Sequence, residues 1–307
     1  MSKHSTRQVN GIFLLDKPIG ISSNQALQRV KRIFNAKKAG HAGTLDVLAS
    51  GLLVICFGEA TKFSQYLLNA DKGYRVTAKL GERTTTCDGE GEVIERKPIK
   101  HIDKKLLDAV LEKFRGEITQ IPSMYSALKH KGQPLYKLAR KGVEVERKPR
   151  NVIIHKLTLL DWNDDKLSLD VHCSKGTYIR NLVDDIGLAL DSCAYVTELR
   201  RLGVGSFDAS QMFTLEQLQS LYDDGAFVAI DEKLLPISSA LAHLPKIILN
   251  SEQAKQLKMG RRFYLPVNPI SLVQFVEKPN HFIGVGEIEA DGRVVSQRLV
   301  NTTASSQ

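Results

Sequence analysis

The eight residues GLLVICFG, Gly51 to Gly58, constrain the fold of this chain more tightly than any other stretch. Leu52 to Phe57 are continuously apolar, too short a run for a helix and closed by glycine, so they read as a strand buried on both faces. The segment before it, GHAGTLDVLAS, contains a single carboxylate, Asp46. A charged side chain between a glycine-rich approach and a dry strand requires a reason.

The flanking pattern predicts more elements. Gly11 to Leu15 reads as a short strand, and DKPIGISSN as a turn into a helix capped by Ser22 or Ser23, with Leu27, Val30 and Phe34 inward. Ala60, Phe63 and Leu67 mark another helix. In GYRVTAKLG, Tyr74, Val76, Ala78 and Leu80 share one face of a strand, and Leu167, Leu169, Val171 and Cys173 share a face of a second. SKGTYIRNLVDDIGLAL starts a helix with Ser174 or Thr177 near its cap and Ile179, Leu182, Val183, Ile186 and Leu190 as its buried stripe. Thr214 and Gln217 have capping-box spacing for a further helix. LLPISSALAHLP reads as a linker. Beyond it, a helix ending on Gly260 and the strand-like pieces RRFYL, SLVQFVE, HFIGVGEIEA and RVVSQRLV suggest a small barrel-like module with a turn at Asp291–Gly292.

At 307 residues the chain has room for two domains, and 42% hydrophobic with 25% charged residues is an ordinary globular balance. The formal net charge of +9 favours a polyanionic partner. Ser123 to Arg150 concentrates it, with five lysines and three arginines against two glutamates, broken by glycine and proline. Such a segment reads as a long excursion from the core, and its Tyr125 and Tyr136 suit stacking on unpaired bases, although a solvated basic loop has the same composition. The four cysteines are far apart, with neither CxxC nor HxxxH spacing, so no zinc site is expected. The chain begins without a signal-like apolar segment and has no run of membrane-span length, which predicts a reducing, cytoplasmic setting and no membrane contact.

Familiar chemical motifs are missing: there is no Gly-Lys-Ser/Thr phosphate loop, no GxGxxG between strand and helix, and no GxSxG. Asp46 remains. On its own such an aspartate is most often a turn or cap residue; Gly40 and Gly43, which permit close approach, and the rigid strand after it set it apart. A desolvated carboxylate tends to protonate, so a working base or nucleophile needs a fixed cation. Arg180 is the candidate: it falls in a first helical turn, where the macrodipole disfavours a cation by about 0.3–1 kcal/mol, so a nearby carboxylate or RNA phosphate explains it better than solvent does.

LLDKPIGISSN, GHAGTLDVLASGLL, KGYRVTAKLG with TTTCDGEG, PSMYSALKHKGQPLYKLARKG, and CSKGTYIRNLVDDIG with AYVTELRRLGVGSF resemble, in order, the motifs of the bacterial tRNA pseudouridine synthase B family. The likeness runs from about Gly11 to Phe207, and GVGEIEADGRVVSQRLV resembles that family's PUA-type RNA-binding module. The resemblance implies an α+β pseudouridine synthase fold: a largely antiparallel mixed central sheet in a catalytic domain over 11–240, a flexible tail over 1–10, and a barrel-like PUA-type domain over 245–303. It also implies isomerisation of uridine to pseudouridine in the T-loop of tRNA, at tRNA position 55, without cofactor or metal; a monomer with no obligatory protein partner is the default expectation. On this likeness Asp46 is the catalytic aspartate, Arg180 its ion-pair partner and Tyr74 the tyrosine that stacks on the target base. His41 helps extrude that base, Tyr178 and Leu199 line the uracil pocket, and Lys17 supports it. The excursion, with Lys129, Lys131, Tyr136, Arg140 and Lys141, resembles an RNA clamp.

One position departs from the family pattern, which has proline after the catalytic aspartate; here it is Val47. Valine also favours extended backbone but enforces it less. A non-catalytic RNA binder and a guide-dependent, dyskerin-type synthase are the rival readings.

Overall fold

The computed structural model describes residues 6–301, apart from 100, 101, 127 and 279. The chain begins with β1 (Gly11–Lys17) and α1 (Ser23–Ile33). Ser22 caps α1: its hydroxyl accepts from the Gln25 N–H, and the Gln25 side chain accepts from the Ser22 N–H. Next come β2 (Ala39–Ala42) and β3 (Ser50–Phe57). The helix expected around Ala60 to Leu67 is split into a 3-10 turn, Gly58–Phe63, followed by α2 (Ser64–Asn69). Then follow β4 (Lys72–Leu80), the small hairpin β5 (Glu82–Thr84) and β6 (Val93–Arg96), α3 (Lys104–Glu112) and β7 (Gly116–Gln120).

The basic excursion leaves β7 and folds into a short hairpin, β8 (Lys129–His130) and β9 (Gln133–Pro134), and a short helix, α4 (Leu135–Ala139). It returns through β10 (Arg150–Asn163), whose Arg150 pairs with Gln120 of β7. The remainder of the larger unit is β11 (Lys166–Cys173), α5 (Ile179–Ala189), β12 (Ala194–Val204), β13 (Phe207–Asp208), β14 (Phe213–Thr214), α6 (Leu215–Asp223) and α7 (Phe227–Asp231). Thr214 and Gln217 form the anticipated capping box on α6.

These strands make one ten-stranded sheet in the order β14-β1-β3-β12-β4-β11-β10-β7, with β13 added on β12 and β2 on β3. The β1/β14 and β3/β12 pairs are parallel and the others antiparallel, giving the largely antiparallel mixed sheet. β3 is buried on both sides. Leu53, Ile55 and Phe57 enter the main core with α1 and α5, while Leu52, Val54 and Cys56 enter a second core with Phe63, Leu67 and Leu241. Burying each of the larger of these side chains stabilises the fold by about 1.5–3 kcal/mol. Rigidity here matters because β3 begins directly after the segment that carries Asp46.

Three expectations are corrected by packing. The described part of the N-terminal tail is tied down, since Arg7 pairs with both Asp231 carboxylate oxygens and Val9 is buried. The 234–245 segment is no free linker: Ile237–Leu241 forms a 3-10 turn, Leu241 is buried, and its carbonyl accepts from Gln274. The C-terminal unit, β15 (Lys246–Leu249), α8 (Ser251–Lys258), β16 (Ile270–Glu277), β17 (His281–Ile288) and β18 (Val294–Leu299), is a four-stranded sheet in the order β15-β16-β17-β18. Among the described residues it does not close into a barrel. RRFYL, expected as a strand, buries only Phe263 and contributes one isolated bridge, Tyr264 to Arg293, so no full strand joins the two edges. Val285 and Phe282 of this unit pack on the second core, where the Phe63 and Phe282 rings meet edge to face at 5.3 Å. No helix among the described residues is long and apolar enough to cross a membrane.

Gly51 couples the two central strands. Its φ is +96°, and a Cβ there would lie 2.2 Å from the Arg201 carbonyl oxygen of β12. Gly51→Ala is therefore expected to lose about 3 kcal/mol of stability, combining left-handed backbone strain with overpacking, as measured by urea unfolding. Ala substituted at exposed Gly142, which has φ +70° but open space around it, should cost less than half as much.

Candidate active site

Asp46 lies in the segment between β2 and β3, and that segment is pinned on several sides. The Ser23 hydroxyl accepts from the Leu45 N–H at 2.8 Å and donates to the Leu45 carbonyl at 2.9 Å. The Gly20 N–H donates to the Val47 carbonyl at 2.9 Å. Arg201 Nη2 donates to the Gly43 carbonyl at 3.1 Å, and its Nε to the Leu52 carbonyl at 2.7 Å. Beneath lies Lys17, fully buried, whose Nζ donates to the Pro18 and Ile21 carbonyls, each at 2.8 Å. Lys17 thus holds the turn that presents Gly20 and Ser23 to the Asp46 segment. Burial pushes its ammonium down to about 8, with the Asp46 charge opposing the shift.

The Arg180 side chain arrives from the first turn of α5. That helix is not capped by Ser174 or Thr177, as the sequence suggested. Its N-cap is Tyr178, whose own side chain forms no cap. The buried Gln120 side chain of β7 substitutes, accepting from the Tyr178 N–H at 3.1 Å and donating to the Tyr178 carbonyl at 3.2 Å. Ser174 instead accepts from the Ile153 N–H, and Thr177 donates to the Ser174 carbonyl.

Arg180 Nε lies 3.0 Å from Asp46 Oδ2, and Nη1 lies 3.2 Å from Asp88 Oδ2. Nη1 also donates to the Thr86 carbonyl and Nη2 to the Tyr125 carbonyl, each at 3.0 Å. One buried guanidinium thus fixes the Asp46 segment, the TTTCDGEG turn and the root of the basic excursion. Two carboxylates overcome the unfavourable helix-end position. Burial raises the Asp46 carboxyl above its usual value, Arg180 pulls it down, and Asp88 adds to the rise. The Asp46 side chain keeps 40% of its surface exposed, and solvent screening moderates this rise.

Two cavities meet at this pair. The smaller, about 350 Å³, is lined by Tyr74, Tyr178, Leu199 and Arg201. The larger, about 870 Å³, is an open cleft bordered by His41, Tyr125, Tyr136 and Arg140. Thr44, Leu45, Asp46, Ser126 and Arg180 line both and form the neck between them. The structure thus brings together Asp46, Arg180, Tyr74, Tyr178, Leu199 and His41, with Lys17 one layer behind. Burial pushes the Tyr74 phenol up and the His41 imidazole down, so His41 is neutral near pH 7. Of the expected clamp residues, Tyr136 and Arg140 reach the cleft, with the Arg140 guanidinium 5.8 Å from the Tyr136 ring centroid. Lys129, Lys131 and Lys141 are exposed on the excursion and border neither cavity. Val47 is exposed and engages the fold through its carbonyl, a bond that proline also allows.

Asp88, Gln120 and Arg201 were not singled out from the sequence. Asp88 lies in the TTTCDGEG motif, but nothing in residue type distinguishes it from a turn aspartate. Arg201 shares strand parity with Leu199, which is a weak signal for burial.

Residues 31–179 match the TruB family pseudouridylate synthase N-terminal domain, 180–242 the tRNA pseudouridylate synthase B C-terminal domain, and 245–300 the C-terminal domain of pseudouridine synthase II TruB. A tRNA pseudouridine synthase B from Coxiella burnetii (strain Dugway 5J108-111) is 52% identical over 295 residues, 96% of each chain. One from Stutzerimonas stutzeri (strain A1501) is 51% identical over 301 residues, 98% of each. Among solved structures, a chain of a Cbf5–Nop10–Gar1 complex has the same fold, with a TM-score of 0.73 at 24% identity, over 94% of this chain and 84% of that one.

The buried Lys17 gives a pH signature. Its folded pKa of about 8 lies below its unfolded value, so the unfolded chain binds the extra proton between the two, and the contribution of this group to stability rises with pH through that window. Lys17→Met removes that contribution. The stability of the native protein minus that of Lys17→Met should therefore increase from pH 7.5 to 10 in urea unfolding, and a flat difference would contradict the burial of the charge.

Proposed function

The chain belongs to the TruB family of pseudouridylate synthases and isomerises uridine to pseudouridine in tRNA; we propose that it acts in the T-loop, with Asp46 as the essential carboxylate. The observation that carries this reading is the Asp46–Arg180 ion pair at the neck between an open cleft and a nucleotide-sized cavity. RNA backbone occupies the cleft, the target base enters the cavity, and its ribose is left beside Asp46. A base stacked in a folded loop must be everted first, at a cost of a few kcal/mol. Stacking on Tyr74 and contacts with Tyr178 and Leu199 offset that cost, while neutral His41 stands on the cleft side, where it fills the space the base vacates.

The reaction conserves atoms. The bond from ribose C1′ to N1 breaks, the base turns, C1′ bonds to C5, the C5 proton is released and N1 gains one. Arg180 keeps Asp46 ionised throughout, so the carboxylate is available to the sugar at neutral pH. Phosphate contacts from the excursion, including Lys129, Lys131 and Lys141, position the arm without reading its sequence, and Arg140 and Tyr136 guide it into the cleft. The C-terminal unit acts as a second, PUA-type contact with RNA.

Tritium release from C5-labelled uridine in a tRNA transcript tests the reading. Asp46→Asn should lower the rate by on the order of a thousandfold or more while the tRNA Kd stays within about threefold. An unchanged rate would exclude the enzymatic role of Asp46, and absence of release by the native protein would favour a simple RNA binder. Activity of the lone chain on a T-stem-loop excludes dependence on a guide RNA.

The pH profile is a second check. Since burial raises the Asp46 pKa and only the ionised form works, kcat/KM should fall on acidification through a pKa above the usual aspartate value. Arg180→Gln removes the opposing cation and should move that limb to higher pH.

A further inference from the structure

Arg201 is among the largest fully buried side chains, at 1% exposure. Its guanidinium donates to two backbone carbonyls, those of Leu52 and Gly43, and among the described residues no carboxylate pairs with it. The contrast is internal: Arg200, its neighbour in sequence, forms a two-point pair with Asp16, and Arg83 with Asp184. A buried cation without a counter-charge is costly, and two neutral acceptors compensate only part of the cost. Arg201 lines the smaller cavity beside Tyr74. Its charge acts on the surroundings, pulling down the pKa values of Lys17, His41, Lys72 and Tyr74. Of the other buried cations at this cavity, Arg180 is held by Asp46 and Asp88, and Lys72 is committed to the carbonyls of Leu67, Leu68 and Ala70.

We propose that Arg201 supplies the counter-charge for the uracil ring while it is detached from the sugar. This rests on the reading above, that the cavity holds the target base. When the bond from C1′ to N1 breaks, the electron pair stays with uracil and spreads over N1 and the two carbonyl oxygens, while the matching positive charge is left on C1′, facing the Asp46 carboxylate. When C1′ bonds to C5 the pair enters the new bond, and loss of the C5 proton and protonation of N1 complete the exchange. Between these events the base itself carries a negative charge in the cavity. With Asp46 engaged by the positive C1′, Asp88 is left to balance Arg180, which has nothing to spare. Arg201 restores the balance. Fixed in place by Leu52 and Gly43 before the reaction starts, it needs no reorganisation as the charge develops, which is the condition under which such stabilisation is largest.

The test separates this role from mere support of the Gly43 segment. Single-turnover conversion is measured on T-stem-loops carrying uridine or 5-fluorouridine at the target, followed by digestion and chromatographic loss of the starting nucleoside. Fluorine makes the base a better leaving group that depends less on outside charge. Arg201→Gln should slow uridine conversion by on the order of a hundredfold or more, and 5-fluorouridine conversion by no more than about tenfold, at unchanged RNA affinity. Arg201→Lys, which keeps the charge, should recover uridine conversion to within about tenfold of the native rate. Equal losses on the two bases, or no recovery in Arg201→Lys, would overturn the assignment and leave a structural role. Should Arg201→Gln not fold, Arg201→Lys decides: a loss above about a hundredfold, equal on both bases, overturns the proposal. A native protein that converts neither substrate would instead fail the functional reading itself.

Discussion

A carboxylate at the wall of a buried cavity is pushed toward its neutral form by desolvation and keeps its charge only beside a fixed cation, two demands that oppose each other. The Asp46–Arg180 pair resolves the conflict, and much of the architecture around it serves to bring those two side chains to 3.0 Å. Asp46 comes from the segment before β3 and Arg180 from the first turn of α5, far apart in the chain. Their meeting depends on β12 lying between β3 and β4, which brings α5 and the β2–β3 segment to one side of the sheet. The second carboxylate, Asp88, holds the far side of the same guanidinium, so Arg180 has little freedom to follow solvent or substrate phosphate.

Support for the site is layered. Hydrogen bonds from Ser23, Gly20 and Arg201 hold the Asp46 segment, buried Lys17 holds the turn that supplies two of them, and Gln120 replaces the missing cap at Tyr178. Most of these contacts end on backbone atoms. The Asp46 side chain, although on a loop, is then placed with the precision of a strand, because the loop has few backbone groups free to rearrange. The excursion from Ser123 to Arg150 is built the other way: its root is buried at Ser123, Met124 and Leu135, whereas its cations other than Arg147 are exposed. It is fixed where it touches the site and open where a polyanion would settle.

Local pattern was a good guide wherever one element decided the outcome. The double-sided burial of Leu52 to Phe57, a cap at Ser22 or its neighbour Ser23, the capping box at Thr214, and the buried stripe of α5 were all legible, because each depends on neighbours within a turn or a strand. Asp46 and Arg180 were found by asking what a misplaced charge needs. The errors occurred where a distant segment intervened. Ser174 and Thr177 are good cap residues, yet Gln120 of another strand took the task; RRFYL alternates like a strand but finds no edge to join; the 234–245 segment has the composition of a linker but is packed under Gln274.

The amino-acid sequence by itself determined the strand and helix periods, the family, the isolated acid with its cation, and the concentration of positive charge in one excursion, since each follows from residue type and spacing along the chain. Only the tertiary structure decided that Arg180 is shared between Asp46 and Asp88, that Lys17 works from beneath the site, and that, among the described residues, Arg201 is buried without an acid and the C-terminal sheet stays open. The physical reason is the same in all four. Desolvation and pairing depend on what lies within a few ångströms in space, and residues that close come from segments whose separation in sequence carries no signal of their meeting.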